Sequence, residues 1–382
     1  MPGKFHRLLF LKVHRMRAPD YDRRRNQVRK LLRDASAEAL LISSVFNVTY
    51  LTGFTGDDSL LLISKDKCIL ISDPRYEQQI EEECPGLETF IRKPSNSTLL
   101  AAAQVAKQCR LASMLVEGET ITLTHYETLK NVLPDIQFGT SRGLVESLRE
   151  IKDSWEISRI QRAIDIAERA FISVKNGLTQ ETTERQIAND LDRAVRLLGG
   201  KGSAFATIVG VGPRAALPHG VPQDYRLKEH PFVLIDWGAR EGLYLSDLTR
   251  VLVTSRIPAK FERIYNAVLE AHVAAAKLLK PGVLMSAVDS TARKVLDDCG
   301  LGKRFTHGLG HGFGLQIHEA TRLAKGQDRP LVENMVLTIE PGVYIPGWGG
   351  VRIEDDYLIT AEGCQRLTSL PRDIESNTIQ LF

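Results

Sequence analysis

The chain has 382 residues, enough for two ordinary domains, and its 43% hydrophobic and 25% charged content is that of a globular protein with cores to bury. Fifty Lys and Arg against 47 Asp and Glu leave a net charge of +3, too balanced for nucleic acid or an anionic membrane to be the main partner, which points to a small substrate. Five cysteines (Cys68, Cys84, Cys109, Cys299, Cys364), odd in number and widely spaced, argue against a disulfide framework or a CxxC metal site and suit a reducing cytoplasm.

Residues 1–17, "MPGKFHRLLFLKVHRMR", are basic, but their one apolar run, Leu8 to Leu11, is too short for a signal peptide. The segment reads as a disordered tail, or as sequence upstream of a true start at Met16. No stretch reaches the roughly 18 uncharged apolar residues that would span a bilayer, so no membrane partner is expected. From 18 to 146, "RNQVRKLLRD", "EALLIS", "SLLLISKDKCILIS", a charged helix from about Tyr76, "SMLVEG" and "HYETLKNVLP" interleave helices with short strands, the pattern of a small α/β domain. A charged lead-in to a long amphipathic helix, "SLREIKDSWEISRIQRAIDIAERAFISV", sets the domain boundary at 147, and the second domain runs over 147–382.

That second domain reads as two similar halves. "NGLTQETTERQIANDLDRAVRLLGGKG" and "PGVLMSAVDSTARKVLDDCGLG" share a Gly-ended turn followed by a helix closed by Gly199 or Gly300, and each is followed by strand signals. An internal duplication of a helix, helix, hairpin unit explains this, and chance likeness of two α/β segments is the competing explanation.

Two acids fall on each inferred hairpin: Asp236 in "VLIDWG" with Asp247 in "YLSDLTR", and Glu340 in "LTIEPG" with Glu354 in "VRIEDD". A single carboxylate in an apolar strand is ordinarily an edge or salt-bridged residue. Four in matched positions, gathered together, would repel unless cations or protons neutralised them. Two divalent ions cancel a charge of −4 and leave a neutral His to complete the ligands, the arithmetic of a two-metal hydrolase. In "HGLGHGFGLQIHE" (307–319), alternate glycines disfavour a helix, so His307 and His311 are not a helical zinc pair; the glycines permit close backbone approach, and His311 is the best ligand candidate. Taken alone, the motif equally suits an exposed Gly-rich turn. "HEATR" is not HExxH, no GxSxG elbow is present, and no cysteine sits in a nucleophile signature. "TIVGVGPRAA" imitates a dinucleotide loop, but Pro213, Pro218, Gly220 and Pro222 forbid the helix that must follow, which excludes a dehydrogenase.

These residues resemble the pita-bread metallopeptidases of family M24, which include aminopeptidase P, prolidase and methionine aminopeptidase, over nearly the whole chain. Asp236, Asp247, His311, Glu340 and Glu354 match the family's five-ligand pattern, in order and at the spacing of its Xaa-Pro branch. The resemblance implies an α/β (α+β) fold, with a small N-terminal creatinase-like α/β domain ahead of a C-terminal pita-bread domain of pseudo-two-fold halves. It further implies two divalent ions bridged by Asp247 and Glu354, with Asp236 on one and His311 and Glu340 on the other. Glu340 would double as general base, His219 and His318 match substrate and transition-state histidines, and His307 matches a further active-site position. The hard oxygen set with one imidazole puts Mn²⁺ first, then Co²⁺ or Zn²⁺. Methionine aminopeptidases lack the first domain and carry Gln where this chain has Arg352. Creatinase lacks the metal ligands.

"YLTGFTG" (50–56), "DPRY" (73–76) and "IPGWGGVRIEDD" are similar to small bacterial aminopeptidase P proteins. Arg322 occupies a position where prolidases place an Arg that clamps a free proline carboxylate. Ala320–Thr321 departs from the usual motif, which commonly has Pro at the second position. The implied activity is hydrolysis of the bond before proline in Xaa-Pro dipeptides or in peptides that begin Xaa-Pro. The expected partners are a small peptide with proline at its second position and a second copy of the chain in a homodimer. The alternative is a catalytically inactive creatinase-fold binding protein.

Overall fold

The structure is a computed structural model that describes residues 19–254 and 256–381; the basic segment 1–17 lies outside the described residues. Helix α1 (Tyr21–Asp34) starts on Asp20, whose carboxylate accepts the Arg23 amide at 2.9 Å. There follow β1 (Ala39–Ile42), α2 (Val45–Thr52), β2 (Ser59–Ser64), β3 (Cys68–Ser72), α3 (Glu77–Glu83), β4 (Glu88–Ile91), α4 (Thr98–Gln108), β5 (Ser113–Glu117), α5 (Leu123–Val132) and β6 (Gln137–Ser141). The strands form one mixed sheet ordered β4-β3-β2-β1-β5-β6. Period-two alternation sends Leu40, Ile42, Leu61 and Ile63 to one apolar cluster and Ala39, Leu41, Leu62 and Ile71 to another, so both faces are buried, as a sheet between helices requires.

A short helix, α6 (Glu146–Arg149), leads into α7 (Ser154–Lys175), which opens with a capping box between Asp153 and Glu156. Buried Arg24 of α1 reaches Asp153 at 2.7 Å and Glu156 at 3.1 Å, tying the first domain to that helix start. The chain continues through α8 (Glu184–Leu197), β7 (Ile208–Val211), β8 (Phe232–Trp237), β9 (Arg240–Glu241), β10 (Tyr244–Leu245) and β11 (Leu248–Val253). After α9 (Ala259–Ala276) and α10 (Met285–Asp298) come β12 (Gly310–His311), β13 (Arg322–Leu323), β14 (Val336–Ile339), β15 (Gly342–Ile345), β16 (Gly349–Arg352), β17 (Asp355–Ile359) and β18 (Cys364–Arg366). Each half thus supplies a packed helix pair and then an antiparallel strand pair, β8–β11 in the first and β14–β17 in the second. After β7 the chain makes a 3₁₀ turn over Gly212–Ala216 in place of the α-helix a dinucleotide site needs.

The second hairpin differs from the single one the sequence suggests. Ile339 of β14 pairs with Asp355 of β17, and the ladder then stops; Gly342 pairs with Arg352 in a separate two-stranded ladder, β15–β16, nested inside. Pro341 has no N–H to continue the outer ladder. Glu340 and Glu354 occupy the two gaps left between the ladders, and a bridge between Thr249 and Glu354 brings the halves together there.

Gly310 lies against β14 so closely that a Cβ would sit 2.0 Å from the Thr338 carbonyl oxygen. We expect Gly310→Ala to cost about 1–3 kcal/mol by forcing the strands apart. Urea unfolding measures it, and an unchanged midpoint would mean that the strands are not in this close contact.

Candidate active site

Strand pairing and alternation place the acids. In β8, Val233, Ile235 and Trp237 enter one core cluster while Phe232 and Leu234 enter another, so Asp236 points to the face of Leu234. Its cross-strand partner is Thr249, two residues after Asp247 and therefore on the same face. Glu340 and Glu354 reach the same region from the second half, and His311 ends β12. Asp236, Asp247, His311, Glu340, Arg352 and Glu354 line one cavity of about 430 Å³, together with His219, His307 and His318. Arg322 is not among its lining residues. It pairs with His311 across β12–β13, and its Nη1 donates to the Glu319 carbonyl at 2.8 Å.

The donor atoms converge. One ligand atom each from Asp247, His311 and Glu354 lie within 4.8 Å of one another. His311 Nε2 stands 3.5 Å from both Asp247 Oδ2 and Glu340 Oε1. Its Nδ1 donates to the Gly312 carbonyl at 3.3 Å, which fixes the tautomer and leaves the Nε2 lone pair facing the carboxylates. Burial, reinforced by His318, pulls the His311 pKa down to about 3, so the ring is neutral at physiological pH.

The carboxylates shift the other way. Burial pushes Asp247 and Glu354 well above the ordinary range, and neighbouring acids push further: Glu354 acts most on Asp247, and Glu340 most on Glu354. Glu340 rises to about 8 through burial and Asp236, against the pull of Arg352. Burial also raises Asp236, although Arg352 opposes it. Asp236 Oδ2 accepts from Arg352 Nη2 at 2.5 Å while Oδ1 has no hydrogen-bond partner among the described residues. An orphaned buried oxygen beside three crowded carboxylates and a neutral imidazole fits a pair of divalent cations in charge and in donor type.

Several supporting side chains were not legible in the sequence. Thr249 Oγ1 donates to Glu354 Oε2 at 2.6 Å, and Thr338 Oγ1 donates to Glu340 Oε1 at 3.3 Å. Asp356, itself raised well above the carboxylate range by burial, accepts the Asp247 amide at 3.3 Å. Arg352 Nη1 donates to the Tyr344 hydroxyl at 2.7 Å, and that hydroxyl donates to His307 Nε2 at 2.9 Å while His307 Nδ1 donates to the Gly308 carbonyl. His307 thus stands at the end of a relay, Asp236–Arg352–Tyr344–His307. Only a residue pattern read across strands would have revealed Tyr344.

Residues 158–361 match the model of metallopeptidase family M24, and residues 24–151 match the Creatinase/Prolidase N-terminal domain. An Xaa-Pro dipeptidase of Pyrococcus furiosus is 34% identical over 90% of this chain and 97% of its own. Among solved structures, an Xaa-Pro dipeptidase from Bacillus anthracis aligns with TM-score 0.90 at 33% identity, covering 94% of this chain and 100% of its own. An X-Pro aminopeptidase from Thermotoga maritima aligns with TM-score 0.83 at 34% identity, covering 90% of this chain and 98% of its own.

The raised carboxylates make a stability prediction. Glu340 moves from 4.5 to about 8, so its proton favours the folded, metal-free state; that contribution is complete below 4.5 and is lost as pH rises through about 8. From about pH 7.5 to 8.5 an unfolded histidine, with its ordinary pKa of 6.5, is also mostly neutral, so the depressed histidines contribute little and chelator-treated protein should show a Tm that falls with pH. Glu340→Gln should flatten the slope, and excess Mn²⁺ should remove it. A metal-free Tm that is constant or rises over this window would contradict the assignment.

Proposed function

Because the chain belongs to metallopeptidase family M24, we propose that this cavity is the active site of a two-metal peptidase that cleaves the Xaa-Pro bond of dipeptides, and of peptides beginning Xaa-Pro. The carrying observation is the convergence of three buried carboxylates, the half-buried Glu340 and a neutral His311, with Asp236 Oδ1 left unpaired. A metal-free binding protein is disfavoured on the same ground, because without cations these acids would have to stay protonated or repel one another.

In this reading Asp236, Asp247, His311, Glu340 and Glu354 would hold the two ions. When bound, the ions would supply Lewis-acid polarisation of the scissile carbonyl and would make water acidic enough to ionise near neutral pH. Glu340 takes the attacking water's proton and delivers it to the proline nitrogen as the carbonyl–nitrogen bond breaks, so that the leaving group departs as a neutral secondary amine. His318, kept neutral by burial with Arg322 and His219 acting in the same direction, donates an N–H to the developing oxyanion. His219 faces the same cavity and orients the substrate. Arg352 occupies one oxygen of Asp236 and so aims the other, while Tyr344 and His307 steady Arg352. Phe205, Ile208, Val221 and Ile317 give the cavity an apolar wall suited to a pyrrolidine ring, and the missing imide N–H needs no acceptor there. The oxygen-rich ligand set supports Mn²⁺ ahead of Co²⁺ or Zn²⁺. A homodimer and a cytoplasmic setting complete the reading, the latter supported by five free cysteines.

Two assays follow. Chelated protein resupplied with Mn²⁺ should release alanine from Ala-Pro, and at its own rate from Ala-Pro-Ala; no metal-dependent release from either would overturn the function. If Arg322 clamps the free carboxylate of a dipeptide, Arg322→Ala should cut kcat/KM for Ala-Pro about tenfold or more beyond its effect on Ala-Pro-Ala. Equal losses on the two substrates would remove Arg322 from substrate binding.

A further inference from the structure

The loop that carries His318 is gripped by a buried charge cluster from the segment joining the two domains. Glu319 Oε1 accepts from Arg149 Nη2 at 2.6 Å and from the Leu315 amide at 3.2 Å, and Oε2 accepts from Lys152 Nζ at 2.9 Å. All three side chains are buried, with 2% of Arg149, 3% of Lys152 and 7% of Glu319 exposed. Burial alone would raise the Glu319 pKa, but Lys152 and Arg149 hold it below its ordinary value, so Glu319 is ionised. Gly314 leaves room for that carboxylate: a Cβ there would meet its atoms at 3.1–3.3 Å. Glu150 grips the other side of the loop, accepting from Thr321 Oγ1 at 2.9 Å. Arg149 also reaches back into the first domain, donating to Asn47 Oδ1 at 2.9 Å, and Asn47 in turn donates to Glu117 at 2.6 Å.

A buried charged cluster is a weak source of stability, since desolvation offsets most of the attraction. It is a strong source of geometric definition. Glu319 follows His318 directly, and the His318 ring packs edge-on against His311 at 4.4 Å between centroids, so a tilt of this loop moves His318 relative to the carboxylates. We infer that Glu319, clamped by Arg149 and Lys152, is a positioning residue that sets His318 for the reaction and thereby couples the first domain, through Asn47, to catalysis. The inference rests on the role given above to His318.

A double-mutant cycle tests it on the full-length, Mn²⁺-loaded protein with Ala-Pro. Lys152→Met, length-matched and leaving Glu319 its bonds to Arg149 and Leu315, should lower kcat about tenfold with KM and bound metal little changed. In a His318→Ala background the same substitution should lower kcat less than about twofold, and Lys152→Arg should restore most of the loss. Glu319→Gln should show the same pattern more strongly; if it fails to fold, Lys152→Met carries the test. An equal fold-loss in both backgrounds, or no loss in either, overturns the inference and leaves the peptidase reading intact. An unchanged kcat in His318→Ala itself would sink both the role of His318 and the inference built on it.

Discussion

Like charge held out of water is the constraint around which the second domain is organised. Asp236, Asp247, Glu340 and Glu354 come from two halves of the chain and meet in a cavity where burial and mutual repulsion both favour the proton over the charge. A fold that assembles such a cluster must provide compensating positive charge. Among the described residues that charge is chiefly the guanidinium of Arg352, with Arg322 a weaker pull on Glu340, and Arg352 satisfies one oxygen of Asp236 while the other stays unpaired. The remainder falls to cations, which is why the chemistry and the stability of this site are two aspects of one balance.

The backbone is shaped to allow the crowding. Pro341 ends one ladder so that Glu340 and Glu354 fall in gaps where their side chains can turn inward, and the Thr249–Glu354 bridge joins the halves at that point. Gly310 lets the His311 strand approach the Thr338 carbonyl, while the Thr338 hydroxyl, at 3.1 Å from the His311 amide and 3.3 Å from Glu340, holds both ligand-bearing segments. Second partners of this kind set the orientation of a donor as firmly as its own strand does. The glycine-rich stretch around His307 and His311 is therefore a packing requirement of the metal cavity.

Much of this was legible in the sequence because an acid inside an apolar strand is locally anomalous, and four such anomalies at matched positions point to one cause. The alternation of strand and helix likewise outlined both domains, since periodicity is a local property. What escaped was non-local or depended on backbone interruption. Pro341 was visible, but that it would split one hairpin into two nested ladders was not. Tyr344 and Thr249 look like ordinary strand residues and gain their roles from pairing across the sheet. Glu319 meets Lys152 and Arg149 across more than a hundred and sixty positions, and nothing in "HEATR" or "REIKD" announces the contact. Arg322, picked out from resemblance, lies outside the cavity lining and bonds partly to backbone carbonyls, so its reach toward a substrate depends on the arms of its guanidinium left free of them.

The most direct test of the central claim is anomalous diffraction at the manganese edge from crystals grown with Mn²⁺. The account predicts two peaks per chain, about 3.5–4 Å apart, flanked by the carboxylates of Asp247 and Glu354. A cavity without a peak, or with these side chains turned away from whatever ion is bound, would contradict it.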